Sequence, residues 1–188
     1  MQTKHILAAA VLAATSAFAH AAQPGPYIGG GFGFTSHNFD CNGGYACDSS
    51  DVGFKFFGGY NFTHQWGVQV DYIDFGSSTW TYYGARDLEL SPTLLGVSGV
   101  FNFDFNKQWS GAVKLGLADV GVDGSGYSGN GSQSNTQLYG GVDVHYTVNP
   151  KLKIRAGWDF SSAEYTNRWG EHFDGTVHLF SVGASYSF

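Results

Sequence analysis

From Pro26 to Phe188, apolar and aromatic residues recur with a period of two, and no window of helical length carries an apolar stripe at 3.6-residue spacing. That alternation restricts the chain to strands. Eight are expected, over residues 27–35, 52–62, 66–76, 90–103, 109–120, 137–147, 152–161 and 176–188. At 9 to 14 residues each, they exceed the roughly 5–6 usual in soluble sheets and meet the ~9–11 a tilted strand needs to cross a bilayer. Their connections alternate in length. Short links at 63–65, 104–108 and 148–150 separate long ones at 36–51, 77–89, 121–136 and 162–175, the asymmetry of a barrel with tight turns on one side of a membrane and extended loops on the other.

Composition points the same way. Charged residues make up 13% and aromatics 17%, with 28 glycines in 188 residues, against roughly 25% charged in soluble domains. After Ala22 no uninterrupted apolar stretch is long enough for a spanning helix. Membrane residence therefore requires a closed barrel, because only helices and closed barrels satisfy every backbone polar group in lipid. Residues 1–22 read as a secretory signal peptide, with Lys4 and His5 ahead of an apolar run from Ile6 to Ala14. Ala19-His20-Ala21 is an A-x-A cleavage site, and Ala17-Phe18-Ala19 an alternative. Residues 23–188 then form one all-β domain, an eight-stranded antiparallel transmembrane β-barrel. Eight cations and 15 acids leave it a net charge of −7, which argues against nucleic acid as a partner.

Strand faces follow from the short turns. Centring them on Thr63, Asn106 and Asn149 places Lys55 opposite Asp71, Tyr60 opposite Trp66, Phe103 opposite Trp109, Phe101 opposite Gly111, Val97 opposite Leu115, Asp143 opposite Arg155 and His145 opposite Lys153. One face then carries residues such as Phe54, Phe56, Val70, Leu115, Val142, Ile154 and Phe180, with no formal charge. Tyr60, Trp66, Phe103, Trp109, Tyr146, Tyr186 and Phe188 gather beside the short turns, where an interfacial girdle belongs. The other face carries Lys55, Asp71, Lys114, Asp143, Arg155 and Asp159 with Gly and Ser. Such a distribution is inside-out relative to a soluble barrel. Three cations facing three anions in a narrow interior form a salt-bridge plug or, if the Lys55–Asp71 and Asp143–Arg155 pairs rearrange, a gated ion path.

The opening Tyr27-Ile28-Gly29-Gly30-Gly31-Phe32-Gly33, the run Gly53-Phe54-Lys55-Phe56-Phe57-Gly58-Gly59-Tyr60, and Asp71-Tyr72-Ile73-Asp74-Phe75-Gly76 resemble the small OmpA-like and opacity-type outer membrane β-barrel proteins. Val182-Gly183-Ala184-Ser185-Tyr186-Ser187-Phe188 resembles their closing strand. The resemblance implies that Tyr186 and Phe188 form a C-terminal signal read by the outer-membrane assembly machinery. It also implies a monomer in the Gram-negative outer membrane, among lipids including lipopolysaccharide, and a structural, adhesive or host-contact role through the external loops. The peptidoglycan-binding domain of many OmpA proteins is not expected after Phe188.

The remaining candidates lie in the long connections. Cys41 and Cys47 form a disulfide by default in an exported chain. Trp80, Tyr82, Tyr83, Tyr165 and Trp169 are candidate loop contacts for a host or surface ligand. The Gly/Ser/Asn-rich segment 119–135 is expected to be solvated and mobile. An outer-leaflet lipid A-modifying enzyme would need Ser and His together with an orienting acid. Ser161, Glu171, His172 and His178 approach the same rim, yet no His-x-Ser motif of that enzyme family is present. No catalytic residue, metal site or cofactor is expected.

Overall fold

The computed structural model describes residues 22–39, 46–48, 50–82, 85–126, 131–166 and 172–188. All but the last residue of the expected signal peptide lies outside them. The strands are β1 (Gly25–Phe39), β2 (Ala46–Asp48), β3 (Ser50–Asn61), β4 (Trp66–Asp74), β5 (Ser78–Tyr82), β6 (Ala85–Asp104), β7 (Trp109–Gly126), β8 (Gly131–Asn149), β9 (Leu152–Thr166) and β10 (His172–Ser187). Eight close a ring in the order β1-β3-β4-β6-β7-β8-β9-β10 and back to β1, every pairing antiparallel. Closure removes the edges that lipid could not solvate. The other two extend the wall beyond β4, with β5 pairing to β6 and β2 to β5.

Between β4 and β5 the chain breaks step at Phe75-Gly76-Ser77. Asp74 Oδ1 accepts the Gly76 N–H at 2.8 Å and Asp51 Oδ2 the Ser77 N–H at 2.8 Å, while Gly76 adopts φ +71°, left-handed backbone that a side chain would disfavour.

Several strands are longer than the alternation indicates. β6, β7 and β8 have 20, 18 and 19 residues, and the β7–β8 ladder continues to Gly124 opposite Gly131. Most of segment 119–135, expected to be solvated loop, is therefore paired strand. Beyond the bilayer both faces of a strand meet water, so there is no burial contrast to write an alternation into the sequence. With short turns at the opposite end, the surplus of eight to ten residues lifts this part of the wall roughly 20 Å above the hydrocarbon.

The turn centres also differ from expectation, each lying one residue later. Thr63 Oγ1 accepts the N–H groups of Gln65 and Trp66, Asn106 Oδ1 those of Gln108 and Trp109, and Asn149 Oδ1 those of Lys151 and Leu152. Each polar residue is thus the first of its three-residue turn, not the middle one, capping the two donors that follow. Lys55 consequently faces Ile73, Phe57 faces Asp71, and Tyr60 faces Val68. Phe103 faces Gly111, Phe101 faces Val113, and Val97 faces Leu117. Asp143 faces Gly157 and His145 faces Arg155. Partners move by two positions, an even number, so every side chain keeps its face.

The outer face is apolar as expected. Phe34, Phe32, Leu115 and Leu117 are 75, 65, 60 and 60% exposed, which only lipid can make favourable. Beside the turns the aromatics touch in a belt: Trp66 and Phe101 at 4.8 Å between centroids, Trp109 and Tyr146 at 5.1 Å, Tyr186 and Phe188 at 5.3 Å. Leu115→Arg should lower stability in lipid vesicles by about 2–4 kcal/mol, measured by urea unfolding. A cost no larger than that of Leu115→Ala would mean this face does not meet hydrocarbon.

Candidate functional site

The lumen is layered, as three of its strands show from the turns outward. Inward residues of β4 run Gln69, Asp71, Ile73; those of β7 run Ser110, Ala112, Lys114, Gly116, Ala118, Val120, Val122; those of β9 run Lys153, Arg155, Gly157, Asp159, Ser161, Ala163. On these strands polar and charged groups lie mainly in the half nearest the turns and apolar groups mainly in the outer half, where β1 nonetheless places buried Thr35 and His37 opposite Leu179 and Val177.

All six lumen charges singled out in the sequence are buried, at most 5% exposed. Asp159 is the hub. It accepts hydrogen bonds from Lys55 Nζ at 2.6 Å, Lys114 Nζ at 2.5 Å and Tyr139 Oη at 2.6 Å. Asp143 lies 3.2 Å from Arg155 Nη2, 3.4 Å from Lys114 Nζ and 3.5 Å from Lys55 Nζ. Arg155 therefore does meet Asp143, although the two are not directly opposed. The expected Lys55–Asp71 pair is replaced. Lys55 turns to Asp159 and Asp143, because the shifted turn brings Ile73 across from it; Asp71 accepts from Gln69 Nε2 at 2.7 Å and lies 3.7 Å from Lys114 Nζ. Between two of the cations lies the Phe57 ring, 4.3 Å from the Arg155 guanidinium carbon and 5.7 Å from Lys55 Nζ, close enough for cation–π attraction.

Sequence reasoning passed over Tyr139, Gln69, Tyr27 and Phe57, which complete this cluster. Tyr27 Oη donates to Gln69 Oε1 at 2.9 Å, linking the β1 wall to Asp71. The signal was present, since each has inward parity on its strand and each polar one needs a partner once buried.

Also unforeseen is the apolar layer above the charges. Ile73, Phe75, Leu94, Val120, Val122 and Leu179 belong to one cluster with at most 2% exposure. The inward face was expected to carry only charge, Gly and Ser. The missing physical step is that the outer half of the lumen needs no counter-charges, so apolar groups close it by packing. Apolar side chains of this kind offer an ion nothing in place of its hydration, and the buried polar groups at this level are few, Thr35 and His37 of β1 among them.

Other sequence candidates are placed as follows. Ser161 faces the lumen and donates to the Leu138 carbonyl at 3.0 Å, whereas His178 lies half-buried on the outer face with Trp158 Nε1 donating to its Nδ1 at 3.3 Å. The barrel wall separates them, so they form no nucleophile–base pair. The side chain of His172, like Glu171, lies outside the described residues. So do Cys41, and with it the Cys41–Cys47 pairing, Tyr83 and Trp169; for Trp80, Tyr82 and Tyr165 only the strand backbone is described. Tyr186 pairs with Ile28 and Leu152, and the Phe188 N–H donates to the Pro26 carbonyl at 3.2 Å, so the chain end is built into the seam of the barrel. Among the described residues no group of His, Cys, Asp and Glu could hold a metal ion.

Known proteins agree with this architecture. No curated protein sequence matches the chain. Among solved structures it is similar to Neisserial surface protein A, with a TM-score of 0.66 and 17% identity over 87% of this chain and 97% of that one. It is similar to Ail, the attachment invasion locus protein of Yersinia pestis, with a TM-score of 0.54 and 21% identity over 88% and 100%. OprG from Pseudomonas aeruginosa gives a TM-score of 0.57 and 13% identity over 90% and 99%. At such identities these likenesses speak to the fold alone. The sequence profile of the outer membrane protein beta-barrel domain, however, matches residues 5–188. With nearly the whole length covered by that profile and an inside-out closed barrel as its structure, the chain belongs to the outer membrane protein β-barrel domain family.

Proposed function

We propose that this barrel is a structural platform of the outer membrane whose raised wall and external loops make adhesive or host contacts, and that its lumen neither conducts nor catalyses. The observation that carries this reading is the apolar layer of Ile73, Phe75, Leu94, Val120, Val122 and Leu179 stacked on the buried charge cluster. A sealed interior leaves the external end as the part able to act. Connections 36–51, 77–89, 121–136 and 162–175 hold nine acids against two arginines, so that end favours a basic partner surface. In this it differs in expectation from Ail, whose structure is known with the heparin analogue sucrose octasulfate, a polyanion.

The test pairs adherence with conductance. Cells displaying the protein should bind epithelial monolayers more than cells lacking it. Replacing 79–88 by a two-residue turn should abolish the gain, while the barrel still shifts its gel mobility on boiling. Purified protein in a planar bilayer should give no steady current. Steady current altered by Asp143→Ala would instead support a narrow pore, and unchanged adherence in the trimmed variant would remove the loop role.

A further inference from the structure

The ring does not stay closed to its outer rim. The β8–β9 ladder ends at Tyr139 opposite Ser161, whereas β8 stays paired to β7 as far as Gly131 and β9 to β10 as far as Thr166. Above that fork each of the two strands keeps one neighbour and offers one edge. Ser161 marks the fork, its Oγ lying 3.0 Å from the Leu138 carbonyl oxygen and 3.3 Å from that of Ser162, the two residues next in register. Since the Leu138 carbonyl points toward β9, alternation along the strand turns the N–H and C=O groups of Ser132, Ser134 and Thr136 the same way. No strand among the described residues meets them there, and all three residues are exposed.

Natural sheet edges are blunted by charge, by proline, by a bulge or by being short, and this one has none of the four. Gly131 to Leu138 is eight residues without a charge or a proline, and its ladder with β7 runs without a register shift. We infer that the β8 edge above the fork is a docking site for an extended basic segment of a partner polypeptide, which joins the sheet as one more strand. Backbone bonds to Ser132, Ser134 and Thr136 supply the attachment, and charge supplies the choice of partner. Asp119 and Asp123 flank the edge on β7, opposite Thr136 and Ser132, and Glu164 stands on β9 across the fork; all three are exposed. Residues 119–126, 131–138 and 161–166 contain no lysine or arginine. A second copy of this edge would bring like charges together, which disfavours self-pairing. The inference rests on the platform reading and gives the raised wall its mode of contact.

The test is solution NMR of the refolded full barrel in micelles, titrated with the capped peptide Lys-Thr-Val-Thr-Lys-Thr-Val and with its counterpart carrying Glu for Lys. The basic peptide should give saturable shifts at Ser132, Ser134 and Thr136 and slow the hydrogen exchange of their amides about tenfold; the acidic one should bind more weakly. Ser134→Pro deletes one edge donor and spares the β7 ladder, because that N–H points away from β7. It should weaken binding of the basic peptide about tenfold, or ~1.4 kcal/mol, while Ser134→Ala, which keeps the backbone donor, should leave it unchanged. Asp119→Asn with Asp123→Asn should weaken it about threefold, which keeps the test decisive where Ser134→Pro fails to fold. No protection of these amides, equal binding of the acidic peptide, or unchanged affinity in a folded Ser134→Pro would each overturn the assignment. Protection without peptide would do so too, naming a second copy as the occupant if it depends on protein concentration and β9 itself if it does not. The titration involves no cells, so the peptide can fail to bind while adherence persists, or bind while adherence is absent, and the two readings fall separately.

Discussion

Asp159→Ala should destabilise the barrel by about 3–5 kcal/mol, measured by urea unfolding in lipid vesicles. Asp159 is fully buried and takes two ammonium groups, at 2.6 and 2.5 Å, together with the Tyr139 hydroxyl. Its removal leaves Lys55, Lys114 and Arg155 facing Asp143 and Asp71. Lys55 would then keep only a 3.5 Å contact with Asp143, and a net positive charge would be stranded where water does not reach. Asp159→Asn should cost nearly as much, because the amide preserves shape and restores no charge.

The pairing of charges, more than their presence, is what matters. Lys55→Met in the Asp159→Ala background should recover part of the loss, since an ion pair removed whole costs far less than one removed by half. A loss below about 1 kcal/mol for Asp159→Ala would show the cluster to be solvated. That outcome would also undo the sealed-lumen reading, because water able to screen Asp159 could carry ions past it.

How much of this was legible in the sequence depends on where burial contrast exists. Within the bilayer each strand faces lipid on one side and a packed lumen on the other, so alternation is strong and the eight ring strands, their faces and the charge-bearing interior could all be read. Above the bilayer that contrast vanishes. β5 and the outer ends of β7 and β8 consist of residues such as Ser132, Ser134 and Thr136 that suit water on either face, and their strand character comes from pairing to a neighbour already in place.

Register failed for a different reason. Thr63, Asn106 and Asn149 were correctly recognised as turn residues, but parity alone cannot distinguish the middle of a turn from its first position. The capping bonds to the second and third residues beyond fix that choice. The partner of Lys55 was misread as a consequence, while its inward direction was not. The apolar layer is legible in part, since Ile73 and Val120 share the parity of Asp71 and Lys114 on their strands.

Gly157→Val should cost at least about 3 kcal/mol, combining overpacking with displacement of a buried carboxylate. Across the β8–β9 ladder Asp143 is directly opposite Gly157, and Asp159 directly opposite Gly141. The two carboxylates lie over bare backbone. A Cβ on Gly157 would stand 2.2 Å from Asp143 Oδ1 and 3.3 Å from Lys55 Nζ, and one on Gly141 would stand 2.7 Å from Asp159 Oδ1. Neither aspartate can retreat, since each is held by cations from other strands. The glycines are thus part of the charge cluster by the space they leave. Gly58 serves as the control, because it faces outward and a Cβ there would meet its nearest atoms at 3.8 Å. Gly58→Ala should change stability by no more than about 0.4–1 kcal/mol. If Gly157→Val proved as mild as Gly58→Val, Asp143 would be free to swing aside, and a lumen whose central carboxylates move so readily could not be the rigid plug that closes this barrel.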